Sequence, residues 1–328
     1  LRFALESDNH PDYHSVMKTK TPCIEKQNAD WDHFFSALQN ELDSANTPRR
    51  DRIDVIRVAL WFLLIKNYLG VPTAYAIEKK VDPKAFRRKE ETGDLNHKNL
   101  WSTYRIGQHV PRKKIVAQAN KQVPQSAVLL NNVLWEAIRG KKPIGKIWSN
   151  GLAQFAPEIL RVVVALDHLG QTTGEMPAQI KHSQLKRLER QGGIDALTCL
   201  TLLLRGAVER GDQSTAFAIA QSLYSVLLVV CTQSPFYDLC NEVFKLFKIH
   251  VFSLLRNEHC SFDFDDFNFN QKIGMLIYHY HKLKGSSTVE AKPIDVMRSM
   301  YKVINGDHGI YLLIFYTPPL RFPSLESI

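Results

Sequence analysis

Apolar residues recur along this chain at three- and four-residue spacing, which is the pattern of helices packed by one face. DWDHFFSALQNEL, residues 30–42, puts Trp31, Phe34, Phe35 and Leu38 on one side, with Asp30 placed to cap. TPRRDRIDVIRVALWFLLIKNYLG, residues 47–70, carries Ile53, Ile56, Leu60, Leu63, Leu64 and Tyr68 as one broad stripe. Thr47 is its expected cap, Pro48 suits a first turn and Gly70 a stop, so a central core helix is predicted. Shorter helices are expected over 72–80, 83–91, 97–106, 111–121 and 125–138.

After residue 150 the expected helices are longer and more apolar: 152–169, 179–191, 194–210, 213–231, 236–256, 268–284 and 293–304. Two of them read as an antiparallel hairpin turning at Gly211-Asp212. Ala196, Leu200, Leu203, Leu204, Ala207 and Val208 would face Ala216, Ile219, Ala220, Leu223 and Leu227. GIYLLIFYT, residues 309–317, is β-branched and aromatic and reads as a lone strand before Pro318-Pro319. No sequence period repeats, which argues against a solenoid. The expected fold is all-α: a multi-helical bundle with a helix-turn-helix-like N-terminal half, a helical-hairpin C-terminal half and one short C-terminal strand. The KKPIGK turn, 141–146, marks the expected boundary. It divides a polar segment (1–28) and a basic helical domain (29–146) from a hydrophobic helical domain (147–328).

Composition narrows the class. The chain has 328 residues, 45% of them apolar, enough for a sizeable core. Five cysteines, at 23, 199, 231, 240 and 260, form no metal or disulfide framework, and three sit in apolar helical contexts. That implies a reducing, cytoplasmic setting. Residues 1–28 hold no signal-like apolar run. The most apolar segment, 218–231, is short and contains Gln221 and two serines, so a core helix is expected there and no membrane association.

Charge changes the picture more. The net +9 is concentrated: residues 79–146 hold 16 Lys or Arg against five Asp or Glu, which leaves the remainder slightly acidic. A local basic field of this kind attracts polyanions, nucleic acid or an acidic protein. Its centre is LWSTYRIGQHVPRKKIVAQANKQVP, residues 100–124. Trp101 and Tyr104 share a helix face, Gly107 can stop the helix, and Pro111 opens a second one with Ile115, Val116 and Ala119 inward. Arg112, Lys113 and Lys114 fall at its start, the unfavourable end of the dipole for a cation.

These residues, with Val123, resemble the second half of the Cro/phage-repressor-type (XRE-like) helix-turn-helix domain. The resemblance covers residues 93–126, with Gly93-Asp94 as the turn before a recognition helix. It implies duplex DNA binding, in regulation or a mobile-element or phage-defence context. Asn96, Asn99, Ser102 and Thr103 would probe a groove, while Lys98, Arg105, Arg112, Lys113 and Lys114 hold phosphates. His97 also lies on the outward side. The sequence departs from the family at PKAFRRKEETG, where charge replaces the small apolar residues of the first motif helix, and at Pro124-Gln125-Ser126.

Other chemistry is weak. His259, Cys260, Asp263, Asp265, His279 and His281 are ligand types at spacings that fit neither a zinc finger nor a calcium loop. RVVVALDH spaces Arg161 and His168 as in helical HEPN-type ribonucleases, but without the polar residue often found after the arginine. Nucleotide-hydrolase and zinc-protease motifs are absent, no cofactor or metal is implied, and the balance is against an enzyme. Three readings stand: a nucleic-acid binder, DNA over RNA, whose C-terminal helices supply a homodimer or protein-partner surface; a non-catalytic helical subunit or scaffold meeting an acidic partner or RNA, whose strand-like segment 309–317 would pair with another chain; and, more weakly, a helical ribonuclease using Arg161 and His168.

Overall fold

A computed structural model describes residues 21–45, 50–83, 86–88, 95–96, 99–164, 174–255, 261–262, 264, 266–284, 292–318 and 320–321. The protein is all-α, apart from two pairs of two-residue strands. It divides into two compact units between Leu130 and Asn131. That break precedes the KKPIGK turn because Asn132 is bonded into the second unit. Its Oδ1 accepts from the Leu134 amide and from the Thr198 hydroxyl, each at 2.9 Å. Such side-chain competition for backbone partners splits the helix expected over 125–138 into two.

The first unit is built around α2 (Arg52–Leu69), with α1 (Thr21–Ser44) before it. Asp51, not Thr47, caps α2 by accepting from the Asp54 amide at 3.0 Å, and Gly70 closes it in the left-handed conformation. The expected stripe from Ile53 to Leu64 is buried, but so are Val55, Val58, Ala59, Trp61, Phe62 and Ile65. The helix is therefore covered all round, and Tyr68 alone of the predicted stripe is exposed. Phe34 and Leu38 of α1 are buried, whereas Phe35 is exposed. α3 (Ala74–Val81), α4 (Leu100–Arg105) and α6 (Ser126–Leu130) cover α2, and α5 (Lys113–Gln122) packs on α3 and α6.

Of the helix expected over 83–91, the described residues 87–88 are extended instead: β1 (Arg87–Arg88) pairs antiparallel with β2 (Leu95–Asn96), Arg87 opposite Asn96. PKAFRRKEE offers no apolar stripe to bury, so a helix there has nothing to pack with. Phe86, its one large apolar residue, meets Tyr75 of α3 edge-on at 5.0 Å.

The second unit runs through α7 (Leu134–Arg139), α8 (Ile144–Leu152), α9 (Pro157–Val163), α10 (His182–Gln191), α11 (Gly193–Glu209), α12 (Gln213–Cys231), α13 (Cys240–His250), α14 (Asp266–Lys284), α15 (Pro293–Ile304) and α16 (Ile310–Tyr316). Short 3-10 turns flank α13, and β3 (Ser261–Phe262) pairs antiparallel with β4 (Leu320–Arg321). The α11–α12 hairpin is its centre, and the predicted facing residues are buried, with Val208 half-buried. Asp212 caps α12 through the Thr215 amide at 3.0 Å. One guanidinium, Arg205 of α11, donates to the Ile138 carbonyl of α7 and the His250 carbonyl of α13, at 2.7 and 2.8 Å. Buried Glu189 of α10 accepts from Ser222 Oγ at 2.5 Å and from Lys186 Nζ at 3.2 Å. Cys199 and Cys231 are buried free thiols, pushed upward in pKa by burial, as small core residues should be.

Two expectations fail in this unit. GIYLLIFYT is the helix α16, not a strand. Leu312 and Tyr316, four apart, are buried, while Ile310, Tyr311, Leu313 and Ile314 face outward. When every position is apolar, periodicity carries no signal, and the two residues that find a core decide. The helix expected over 152–169 ends at Val163, with Val164 extended, so the Arg161–His168 spacing does not run along one helix. His168 itself lies outside the described residues, and Arg161 is exposed.

By length and composition, α12 could cross a membrane, and so could α2 and α3 taken together across a 76° bend; 67% of the α12 segment is buried within its unit. Lys272 of α14 is buried too, at 8% exposure. It donates to the Thr317 carbonyl at 3.2 Å and has no carboxylate beside it among the described residues. Burial pulls its ammonium down from 10.5 to about 8.

Two outcomes are expected from this packing. At Gly107, between α4 and α5, φ is +66° and an added Cβ would overlap the Val55 carbonyl of α2. Gly107→Ala should therefore destabilise the first unit by about 3 kcal/mol or more in urea melts. Lys272 binds a proton more weakly folded than unfolded, so its burial opposes folding below about pH 8, and that penalty fades as pH rises towards 10.5. Lys272→Met should then raise stability by about 2–3 kcal/mol at pH 7, with the gap to the wild type narrowing from pH 8 to pH 10. A gap independent of pH would contradict this account.

Candidate nucleic-acid interface

The basic corner is assembled on an aromatic footing. Trp101 of α4 stacks on Trp61 of α2 with centroids 5.3 Å apart, and Tyr104 meets both edge-on, at 5.7 and 5.9 Å. Trp101 and Tyr104 are therefore core residues, as their three-residue spacing predicts. The chain leaves α4 through a tight closure: the Gly107 amide donates to Tyr104 and the Gln108 amide to Thr103, at 3.1 and 2.8 Å. Arg50 fixes the turn from outside. Its guanidinium donates to the Gly107 carbonyl and pairs with Glu41 Oε2 at 2.7 Å.

Pro111 is buried and delivers the chain to α5, whose inward residues Val116, Ala119 and Val123 are buried. Asn120 Oδ1 accepts from the Ala127 amide at 3.1 Å, tying α5 to α6. Arg112 stands at the cap position of α5 without a side-chain cap bond, and Lys113 and Lys114 begin the helix. All three are exposed, and none forms an ion pair among the described residues. Lys121, two turns beyond Lys114 on the same face, is exposed as well. The seven-residue spacing of Lys114 and Lys121 could have nominated it. Arg112 also reaches the electrostatics of the Tyr104 hydroxyl. Burial raises that group's pKa, Arg112 opposes the rise, and Glu78 adds to it.

The other predicted contacts are placed differently. Asn99 is exposed in a left-handed conformation, and its Oδ1 accepts from Ser102 Oγ at 2.5 Å. Thr103 Oγ1 donates to the Leu100 carbonyl at 2.8 Å. These groups are satisfied locally, at the open edge of α4. Arg105 is held inward: it donates to the Asp30 carbonyl of α1 at 3.0 Å and lies over the Phe34 ring at 5.3 Å. Burial lowers its pKa, with Asp30 opposing. It braces α4 against α1. Asn96 sits on β2 rather than on the helix, which begins at Leu100 and spans six residues. Lys98, His97 and the Gly93-Asp94 turn lie outside the described residues. The structure thus brings Arg112, Lys113 and Lys114 together on one exposed turn, adjoined along α5 by Lys121.

Among the described residues no three His, Cys, Asp or Glu side chains gather as a metal site. His279 and His281 sit on different faces of α14, and His259, Cys260, Asp263 and Asp265 lie outside the described residues.

Cations at the amino end of α5 face the positive end of its dipole, which disfavours them when nothing anionic is near. Reversing Lys113 and Lys114 to glutamate should stabilise the fold by about 0.3–1 kcal/mol per residue at low salt, an effect that chemical melts would show shrinking as salt rises. A loss of stability would mean that these lysines are structural. The chain matches no family model, no curated protein and no solved structure, so its own residues carry the functional reading.

Proposed function

We propose that the chain binds nucleic acid, duplex DNA ahead of RNA, through the exposed turn Arg112-Lys113-Lys114 and the adjoining face of α5. One observation carries this reading. Three cations cluster where the fold alone disfavours them, at the start of a helix, with no ion-pair partner among the described residues. Phosphate oxygens would supply the missing counter-charge, and the free amides of the first turn would donate to the same anions. Asn99, Ser102 and Thr103 lie on the preceding helix, available to groove edges once their local bonds are exchanged. The reading needs no enzymatic step. A role in regulation or in a mobile-element or defence setting rests on the helix-turn-helix resemblance of residues 93–126 and is part of the proposal.

The second reading is a non-catalytic interaction subunit whose basic face meets an acidic partner or RNA. It draws on α16, where Ile310 is 70% exposed and Ile314 71%, beside exposed Tyr311. An outward apolar helix face of this kind is typical of a surface that meets another chain.

Fluorescence anisotropy of a labelled random-sequence duplex, titrated against salt, decides between them. Affinity should fall with a log–log slope of about −0.9 per phosphate contact. The Arg112→Glu, Lys113→Glu, Lys114→Glu variant should lose about 2–3 units of that slope while remaining folded. An absence of duplex binding at low salt would sink the DNA reading and leave the interaction subunit. Tighter binding to single-stranded or duplex RNA would move the proposal to RNA.

A further inference from the structure

Beside Lys272 the second unit contains a cavity of about 550 Å³. Its wall is formed by Tyr224 of α12, Phe264, Asn268 and Gln271 near the start of α14, and Ile314 and Phe315 of α16. The volume falls within the range of small-molecule sites, and a mainly apolar wall with a few polar groups is their usual make-up. Among the described residues, the Lys272 ammonium is the one cation on this wall. It lies 5.3 Å from the Tyr224 ring centroid and 5.8 Å from that of Phe315. Among the described residues, one of its three donors is used, on the Thr317 carbonyl at the end of α16.

A lysine needed only to cap α16 could do so from the surface, with its charge in water. This one is more than nine-tenths buried and, among the described residues, has no counter-ion and two donors to spare. A buried charge in that state is a standing penalty unless a ligand supplies its partner. We propose that this cavity binds a small monoanionic carboxylate with an apolar or aromatic body, the carboxylate pairing with Lys272 and the body lying against Tyr224, Phe264 and Phe315. One ammonium suits a single negative charge better than a phosphate, which would call for further cations. The amides of Asn268 and Gln271 can donate to the second carboxylate oxygen. The site lies wholly within the second unit and is independent of the basic corner on α5.

Isothermal titration of the whole chain with 4-phenylbutyrate, and with its neutral amide, tests this directly. One acid should bind per chain, at least about tenfold tighter than the amide, as a charge-assisted hydrogen bond implies. Lys272→Met, which removes the uncompensated charge and keeps the volume, should fold and weaken the acid by at least about tenfold while leaving the amide unchanged. Lys282→Met, at an exposed position on the same helix, should change neither. Equal affinity for acid and amide, an unchanged acid affinity in Lys272→Met, or no binding of either compound at millimolar concentration would each overturn the proposal. So would borohydride trapping of octanal on Lys272 without any carboxylate binding, which would reassign the amine to imine chemistry.

Discussion

A helix that is apolar around its whole circumference has to be covered on every side, and this requirement organises both units. In the first, α2 buries eleven residues between Ile53 and Ile65. Three short helices, α3, α4 and α6, and the end of α1 supply the covering, and their brevity suits the task. A long helix touches a neighbour along one line, whereas several short ones wrap around it. In the second unit α11 holds the same position, buried at every residue from Ala196 to Leu204, with α7, α8, α10 and α12 against it. Burial of this kind is worth roughly 25 cal/mol per Å² of apolar surface, so the central helices dominate the stability of their units.

How much can be read from the residues alone depends on how strongly each segment is constrained. The α11–α12 hairpin and α2 are legible because their stripes are long and because Gly70 ends α2 and Gly211 follows α11. The segment 83–91 misleads because charged residues are compatible with a helix surface yet do not stabilise one without a buried face. The segment 309–317 misleads for the opposite reason, since nine nearly uniform apolar residues fit a strand or a helix equally. Pro157 starts a new helix inside the expected run of 152–169, a boundary that apolar periodicity bridges. Within the candidate interface, the exposure of Arg112, Lys113 and Lys114 is legible from their place after Pro111. The engagement of Arg105 is not, because Asp30 and Phe34 are distant in sequence and only packing brings them to it.

Natural sequences usually agree with themselves at every level, and local conflicts tend to mark working parts. Two such conflicts stand out. The cations that open α5 oppose its dipole, and the Lys272 ammonium lies between two aromatic rings without a counter-ion among the described residues. The first opposes folding through the helix dipole, and the second sets the desolvation of a charge against one hydrogen bond to the Thr317 carbonyl. Elsewhere charge has a structural use: Asp51 and Asp212 cap helices, and Glu41 steadies Arg50 at the Gly107 turn.

Arg205 has an effect that reaches beyond its own helix. Its one guanidinium nitrogen gathers the terminal carbonyls of α7 and α13, stretches far apart along the chain. Their last turns share a single donor, so a fluctuation that releases one also changes the hold on the other. Amides near Ile138 and His250 should therefore open together in hydrogen exchange, although nothing in their sequence connects them.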